Sequence, residues 1–407
     1  MKKVLIASTA LVAATMLSAG TASASEKIKL NLGGFSKWFV VGAWQDDNYQ
    51  AGDNSATATG QKDYNNVDVK ADNEIFFGGS TTLDNGLKVG VDVQLEAGGN
   101  HQGSDSADLI DESYIWIEGG FGKFIIGSEN NGTYLLHVNA PDAAGNWNEG
   151  GMLTGNFGGN NSSVIVNPGV SGLGGGNTTA IATDGDAEKI TYVAPSFYGL
   201  TVGASYVPNS KEDDRGPTQI ANGAGTGVTT GEIYGAAALY ANTFGGVGVK
   251  ASAGWVTYSV EDANGATAGN GAGAAAFLPG KTGVNEYAFG GQLSYAGFTV
   301  GGSYRKVAAD AAVDALDGNG WDAGIQYASG PYAVSFAYFK SKVEGAATPG
   351  DDEIEIYQAS GKYALGPGVD VLATVGHAKF EDEAGAGVAN NGKNEGWAVM
   401  TGLSLAF

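Results

Sequence analysis

A two-residue alternation of apolar and polar side chains recurs from one end of this chain to the other, and it limits the folds available more than any other feature. From Leu87 onward the odd positions are Leu87, Val89, Val91, Val93 and Leu95, while Lys88, Asp92, Gln94 and Glu96 fill the even ones. Successive side chains of a strand point to opposite faces, so such a ribbon meets an apolar medium on one side and something wet on the other. The pattern returns in Phe298, Val300 and Tyr304 against Thr299, Ser303 and Arg305. It returns again in Trp321, Ile325 and Tyr327 against Asp322 and Gln326, and in Tyr332, Val334, Phe336 and Tyr338 against Ala333 and Ser335. The final dodecamer, through Trp397, Val399, Leu403, Leu405 and Phe407, follows the same rule.

Sixteen such segments can be marked, starting near Lys27, Asp72, Gly86, Asp108, Gly122, Ala187, Gly199, Gly231, Gly245, Gly283, Gly297, Gly320, Pro331, Glu353, Gly368 and Glu395. Their connections alternate strictly between short and long. The short ones have tight-turn composition, and Asn85-Gly86 carries the sequence signature of a type I′ hairpin. The long ones include Asp46 to Ala71, Glu129 to Asp186 and Glu261 to Thr282. A soluble sandwich or propeller has no reason to sort its loops by length. An up-and-down barrel in an outer membrane does, with short periplasmic turns and long external loops. A bilayer forbids an open sheet edge, so the last strand is expected to pair with the first. The predicted fold is all-β: a 16-stranded antiparallel transmembrane β-barrel. On this reading Phe407 ends the closing strand at the aromatic girdle, with the hydrophobic phase of every strand facing lipid.

Residues 1–24 read as a signal peptide, from Lys2 and Lys3, the uncharged run Val4 to Ala19 and the small-residue end Ala22-Ser23-Ala24. The barrel domain is then 25–407. No other stretch approaches the ~18 apolar residues of a helical span. There is no cysteine, so neither disulfides nor thiolate metal sites contribute. A formal charge of −22 disfavours nucleic acid and suits cations.

The hairpin running from Asn73-Glu74-Ile75-Phe76-Phe77-Gly78-Gly79 through Leu83 to Val89 resembles a Gram-negative general-diffusion porin of alphaproteobacterial type. The turn Gly119-Gly120-Phe121-Gly122, the stretch Leu365-Gly366-Pro367-Gly368-Val369 and the terminal Phe407 extend the likeness over the whole mature chain. The resemblance implies an outer-membrane homotrimer among lipids and lipopolysaccharide, with a third external loop folded inward as the constriction (129–186). It also implies that Phe407 is read by the barrel assembly machinery. Leu135, Leu136, Trp147, Met152, Leu153 and Phe157 give that loop apolar surface, whereas the glycine-rich tract Gly169 to Asn177 is expected to move. The family sets basic wall residues against an acidic loop. Here the strand after the first long loop offers Glu74 in place of an arginine, and four bases face inward: Lys37, Lys88, Lys250 and Arg305. Asp142 and Glu149 of the loop, with Asp92, Glu96, Glu286 and Asp322 of the wall, are the expected acids.

The expected activity is a water-filled channel for passive diffusion of small hydrophilic solutes and ions, mildly cation-selective. The alternative is a substrate-selective channel for oligosaccharides or amino acids. No catalytic constellation emerges: His101, His137 and His377 lack metal-ligand spacing, and lone histidines are usually surface or loop residues. Gly223 to Gly227 lacks the lysine, strand and helix of a phosphate loop. No cofactor is expected: Asp184-Gly185-Asp186 and Asp351-Asp352-Glu353 offer hard oxygens for weakly bound Ca²⁺ on external loops, but neither fits the twelve-residue calcium loop, and solvated loop charge is the preferred reading. Trp38, Trp44, Tyr287 and Tyr327 read as lipid-facing girdle.

Overall fold

The computed structural model describes residues 27–46, 66–97, 110–145, 164–167, 170, 173, 179–210, 228–262, 280–309, 317–344, 351–382 and 392–407. The strands are β1 (Asn31–Gln45), β2 (Val67–Thr82), β3 (Lys88–Glu96), β4 (Ile110–Gly119), β5 (Gly122–Gly127), β6 (Lys189–Val193), β7 (Leu200–Asn209) and β8 (Val228–Phe244). They continue as β9 (Val247–Asp262), β10 (Gly280–Tyr295), β11 (Phe298–Ala309), β12 (Gly318–Ser329), β13 (Tyr332–Glu344), β14 (Asp351–Gly366), β15 (Val369–Glu381) and β16 (Lys393–Ala406). Each pairs antiparallel with its neighbours in sequence, and β1 pairs with β16, so the sheet is a closed barrel without an edge. At the seam Gly34 and Phe407 exchange both backbone hydrogen bonds at 3.0 Å. No described helix is long and apolar enough to cross a membrane; the chain crosses with strands.

Alternation decides which residues meet lipid. Trp38, Val40 and Trp44 on β1 and Val334 and Phe336 on β13 are exposed, while Phe39 and Val41 on β1 and Ala333 and Ala337 on β13, on the opposite phase, are buried. Tilted aromatic pairs mark two levels of the outer surface. Near the short turns stand Phe298 with Tyr327 at 4.6 Å and Tyr332 with Tyr363 at 4.8 Å. Toward the long connections stand Trp321 with Tyr338, Tyr338 with Tyr357, and His377 with Trp397. Tyr357 and Tyr363 lie six positions apart on β14, about 20 Å along a strand. That spacing suits girdles on the two sides of a hydrocarbon layer.

Above the second girdle the polarity inverts. On β13 to β15 the outward side chains become Lys340, Glu353, Glu355 and Lys379, and the inward ones become Phe339, Ile354, Ile356 and Phe380, all buried. The expectation that the apolar phase faces lipid along every strand therefore fails at this end. Outside, the strands have left hydrocarbon for headgroups; inside, they have acquired an apolar cover from the connection between β5 and β6.

The turn at Asn85-Gly86 is also not the expected type I′. Only Gly86 has positive φ (+84°), and its N–H donates to Leu83 O at 2.8 Å, which makes a three-residue hairpin loop closed by the glycine. Paired positive φ values occur instead at Tyr198-Gly199 and Ala296-Gly297.

Candidate pore constriction

The connection between β5 and β6 enters the barrel and is bonded to the inner wall along its described length. It begins with the four-residue helix α1 (Gly132–Leu135), whose N-cap Asn131 accepts from the backbone N–H of Thr133 and Tyr134. The amide of Asn131 reaches back to Ile181 O and to the Asp184 carboxylate, tying the start of the connection to its end. From there the backbone is held by inward side chains of four strands. Gly132 N donates to Ser205 Oγ of β7 (2.8 Å), Val138 N to Ser252 Oγ of β9 (3.0 Å), Ala140 N to Asp322 Oδ1 of β12 (3.0 Å) and Ala143 N to Ser335 Oγ of β13 (2.9 Å). Short polar side chains at every second wall position thus satisfy a loop backbone that would otherwise be buried without partners.

The returning arm of the loop has a different anchor. Arg305 of β11 donates from Nε to Glu286 Oε2 of β10 at 2.9 Å and from Nη1 to Ala180 O at 2.7 Å; Thr183 Oγ1 donates to the other Glu286 oxygen. Both partners of this ion pair are 1% exposed. Beside it His137 Nε2 lies 3.0 Å from Thr179 Oγ1, which continues to Ser303 and Asp322. Burial, with Arg305 nearby, lowers the His137 pKa to about 4 and keeps the ring neutral. Asp184 pairs with Lys189 Nζ at 3.3 Å, and burial raises its pKa. Apolar contacts complete the docking: Ile165, Val170 and Ala140 pack on Phe39, Phe339, Ile356, Phe380 and Met400, and Leu173 and Ile181 pack on Val256, Val284 and Val307.

The other side of the lumen is charged. Cross-strand partners share a face, so the inward set on β1 to β3 is read from register: Lys37 opposite Asp72, Phe35 opposite Glu74, and Glu74 opposite Glu96. Carboxylate oxygens of Glu74, Glu96 and Asp111 lie within 4.8 Å of one another. Below them Glu112 accepts from Gln94 and from Asn130 Nδ2, and Asp92 accepts from Trp116 Nε1 at 3.0 Å. Lys37 Nζ is 2.7 Å from Asp72 and lies over the Phe35 ring at 4.2 Å; Lys123 lies over Trp116 at 5.0 Å.

The residues singled out in the sequence divide between these two regions. Glu74, Glu96, Asp92, Lys37 and Lys88 face inward on the charged wall, with Lys88 opposite Glu118 near the short turns. Lys250 is inward on β9, opposite Gln292. Asp142 turns to the wall, accepting from Ser335 Oγ at 3.1 Å. Arg305 does not border open lumen; with Glu286 and Asp322 it lies under the loop and holds it. Register places Lys70, Lys123, Lys189 and Lys362 inward as well, so the count of four bases was too low. Glu149, Trp147, Met152, Leu153, Phe157, His101 and Gly223 to Gly227 lie outside the described residues, as does the signal segment 1–24.

Within the tract Gly169 to Asn177, expected to move, Val170 and Leu173 are buried against the wall. His137 is a loop residue as expected, half-buried, with Nε2 turned to Thr179. Both proposed Ca²⁺ stretches already hold protein partners: Asp184 has Asn131 and Lys189, while Asp351 and Glu353 have Lys342. Asp111 and Glu112 escaped sequence reading because Gln94 pairs with Glu112 and Leu95 with Ile110. That leaves Asp111 as a bulge, where two-residue alternation fails.

A closed sixteen-stranded barrel with a loop folded against its inner wall is the architecture of an outer-membrane channel. The profile of the Gram-negative porin family matches residues 7–383, and the chain belongs to that family, whose members are non-catalytic channels of the outer membrane. Among solved structures, the anion-selective porin from Comamonas acidovorans superposes with a TM-score of 0.59 at 16% identity, covering 94% of this chain and 100% of that one. The outer membrane channel DcaP of Acinetobacter baumannii gives 0.59 at 12%, covering 93% and 97%. OmpT of Vibrio cholerae lacking loop L8 gives 0.55 at 13%, covering 94% and 100%. At these identities the likeness is one of fold. No curated protein matches the chain significantly in sequence.

Proposed function

We propose that the chain forms a water-filled channel for passive diffusion of small hydrophilic solutes and ions, with a mild preference for cations. The observation that carries this reading is the carboxylate group Glu74, Glu96 and Asp111, gathered on the inner wall at the level of the inward loop. A lumen too wide for side chains to fill holds water, and excess fixed negative charge raises the local concentration of cations. The bases nearby are partly neutralised: Lys37 already pairs with Asp72. Residues 129–186 act as the constriction, with Asp142 and Glu149 as its acids and Lys88, Asp92 and Lys250 contributing to the field. In planar bilayers the protein gives stepwise ohmic conductance, and the reversal potential in a salt gradient favours cations. Asp142→Asn/Glu149→Gln lowers that preference; an anion preference of the parent rejects the charge reading.

The second reading, a substrate-selective channel for oligosaccharides or amino acids, draws on Tyr114 and Trp116, whose register faces them inward beside Asp92 and Gly90. It requires a solute that blocks the current saturably at low concentration.

The homotrimer finds support in wall height. β5 and β6 have 6 and 5 residues, well below the ~9–11 of a strand exposed to a bilayer, so their outward Phe124, Ile126 and Ile190 call for cover by another subunit. Phe407 serves as the assembly signal, residues 1–24 as the export signal, and the hairpin from Asn73 points to an alphaproteobacterial type.

A further inference from the structure

Glycine inside a strand weakens it and marks a place where another backbone comes close. Gly290 is such a residue. It lies on the inward phase of β10 between Ala288 and Gln292, directly opposite Ser252 of β9 and Ser303 of β11. Its φ is not in the left-handed region, so the backbone there does not call for glycine. Space does. A methyl carbon on Gly290 would fall inside the van der Waals envelope of the Val138 carbonyl oxygen, and 2.7 Å from the carbonyl carbon. At no other described glycine of the wall does backbone of the inward loop come so near.

The loop segment above Gly290 has no room to step aside. Val138 N donates to Ser252 Oγ at 3.0 Å, Gln292 Nε2 donates to Asn139 O at 2.7 Å, and Ala140 N donates to Asp322 Oδ1 at 3.0 Å. Strands β9, β10 and β12 thus hold three consecutive loop residues around the contact. The Val138 side chain is itself buried. Nor can the wall retreat, because Gly290 is paired on both sides within a closed sheet. Gly203 of β7 makes the contrast. A methyl there would meet the end of the Leu136 side chain at 3.0 Å, and a side-chain end can turn away.

We propose that Gly290 sets the size limit for solutes passing the constriction. The depth at which the loop lies is fixed by the side chain missing from this wall position, and the inference rests on the channel reading above. Gly290 touches no solute; it is a positioning residue that acts through Val138. A side chain added there has one direction left, toward the barrel axis. Val138 would move inward by on the order of 1–2 Å before the C···O contact regained its ordinary length of about 3.3–3.6 Å. The opening narrows from the loop side, while the carboxylates of the opposite wall stay in place. Size selection and charge selection therefore separate at this residue.

The test compares the full mature parent with Gly290→Ala and Gly291→Ala, by single-channel conductance, by zero-current potential and by liposome swelling in a mono-, a di- and a trisaccharide. Gly291 lies on the outward phase, where the nearest atom to an added methyl is Lys250 O at 3.5 Å, and its variant is expected to match the parent. Gly290→Ala is expected to lose conductance and to slow the three sugars increasingly with their size, with the zero-current potential unchanged. Gly290→Ala/Ser252→Ala frees Val138 N and removes a hydroxyl 3.1 Å from the new methyl, so part of the lost flux returns. Should the single variant not fold, the double variant is read against Ser252→Ala, with the same size-ordered loss expected. Parental flux in Gly290→Ala overturns the proposal. Raised or noisy conductance also overturns it, since the loop would then have left the wall, and so does failure of both Gly290 variants to form a barrel, which would make the glycine a requirement of the sheet. A parent without stepwise conductance overturns the channel reading itself, and this inference with it.

Discussion

Two arcs of the same inner wall obey the same alternation and end in opposite chemistry. Across β7 to β16 the inward positions that the incoming loop covers are small hydroxyls, Asp322, one ion pair and apolar side chains: Ser205, Ser252 and Ser335 hold its backbone and Phe339, Ile356 and Phe380 hold its apolar residues. Across β2 to β4 the inward positions carry the carboxylates Asp72, Glu74, Asp92, Glu96 and Glu112 with Lys70 and Lys88, beside Phe35, Tyr114 and Trp116. A strand's wet phase therefore records what it faces rather than a fixed role. Where it faces a docked segment it resembles a protein interior, and where it faces solvent it collects charge.

The sharpest way to break this contrast is to unpair the buried anchor. Arg305→Ala leaves the Glu286 carboxylate buried without its cation, a change that costs about 3–5 kcal/mol. The loop is expected to lift from the wall, read as a lower melting temperature and noisy conductance. Arg305→Met/Glu286→Leu, which removes both charges, recovers most of the loss. If Arg305→Ala conducts and melts as the parent does, the loop is not held there.

Acid gives the next largest effect. His137 has its pKa lowered to about 4 by burial, against an ordinary value of 6.5. Protonation thus favours the undocked loop. Docking is at full strength above pH 6.5 and weakens as pH falls toward about 4, by about 3 kcal/mol in all. Melting followed from pH 7 to pH 4 should show this acid limb, and His137→Gln should flatten it. A smaller change is expected from Asn131→Ala. It removes an N-cap and the tie to Asp184, costs about 1–2 kcal/mol, and is measurable as proteolytic opening of the loop with the barrel intact.

Much of the fold was legible because a membrane barrel repeats one rule. Strand starts at Gly122, Gly199, Gly245, Gly297 and Gly368 fall within a residue or two of the observed ones, since tight turns there need particular residues. The candidate site was less legible. Glu74 and Glu96 are inward by simple counting, but Asp111 joins them only through a bulge, a feature of pairing between distant strands rather than of local sequence. Arg305 has the right phase for the lumen, yet its burial is set by Ala180 and Thr183, more than a hundred residues away in sequence. Above the girdle Phe339, Ile354 and Phe380 reverse the expected polarity for the same reason: the loop that covers them is invisible to a two-residue period.

The most direct test of the charged arc is the zero-current potential across a planar bilayer in a low-salt KCl gradient, measured for the parent and for Glu74→Gln/Glu96→Gln. The parent is expected to show a cation-favouring potential that moves toward zero in the variant. The parental value is expected to shrink when both sides approach 1 M, where the screening length is about 3 Å. An anion-favouring parent, or a variant whose potential is unchanged, contradicts it.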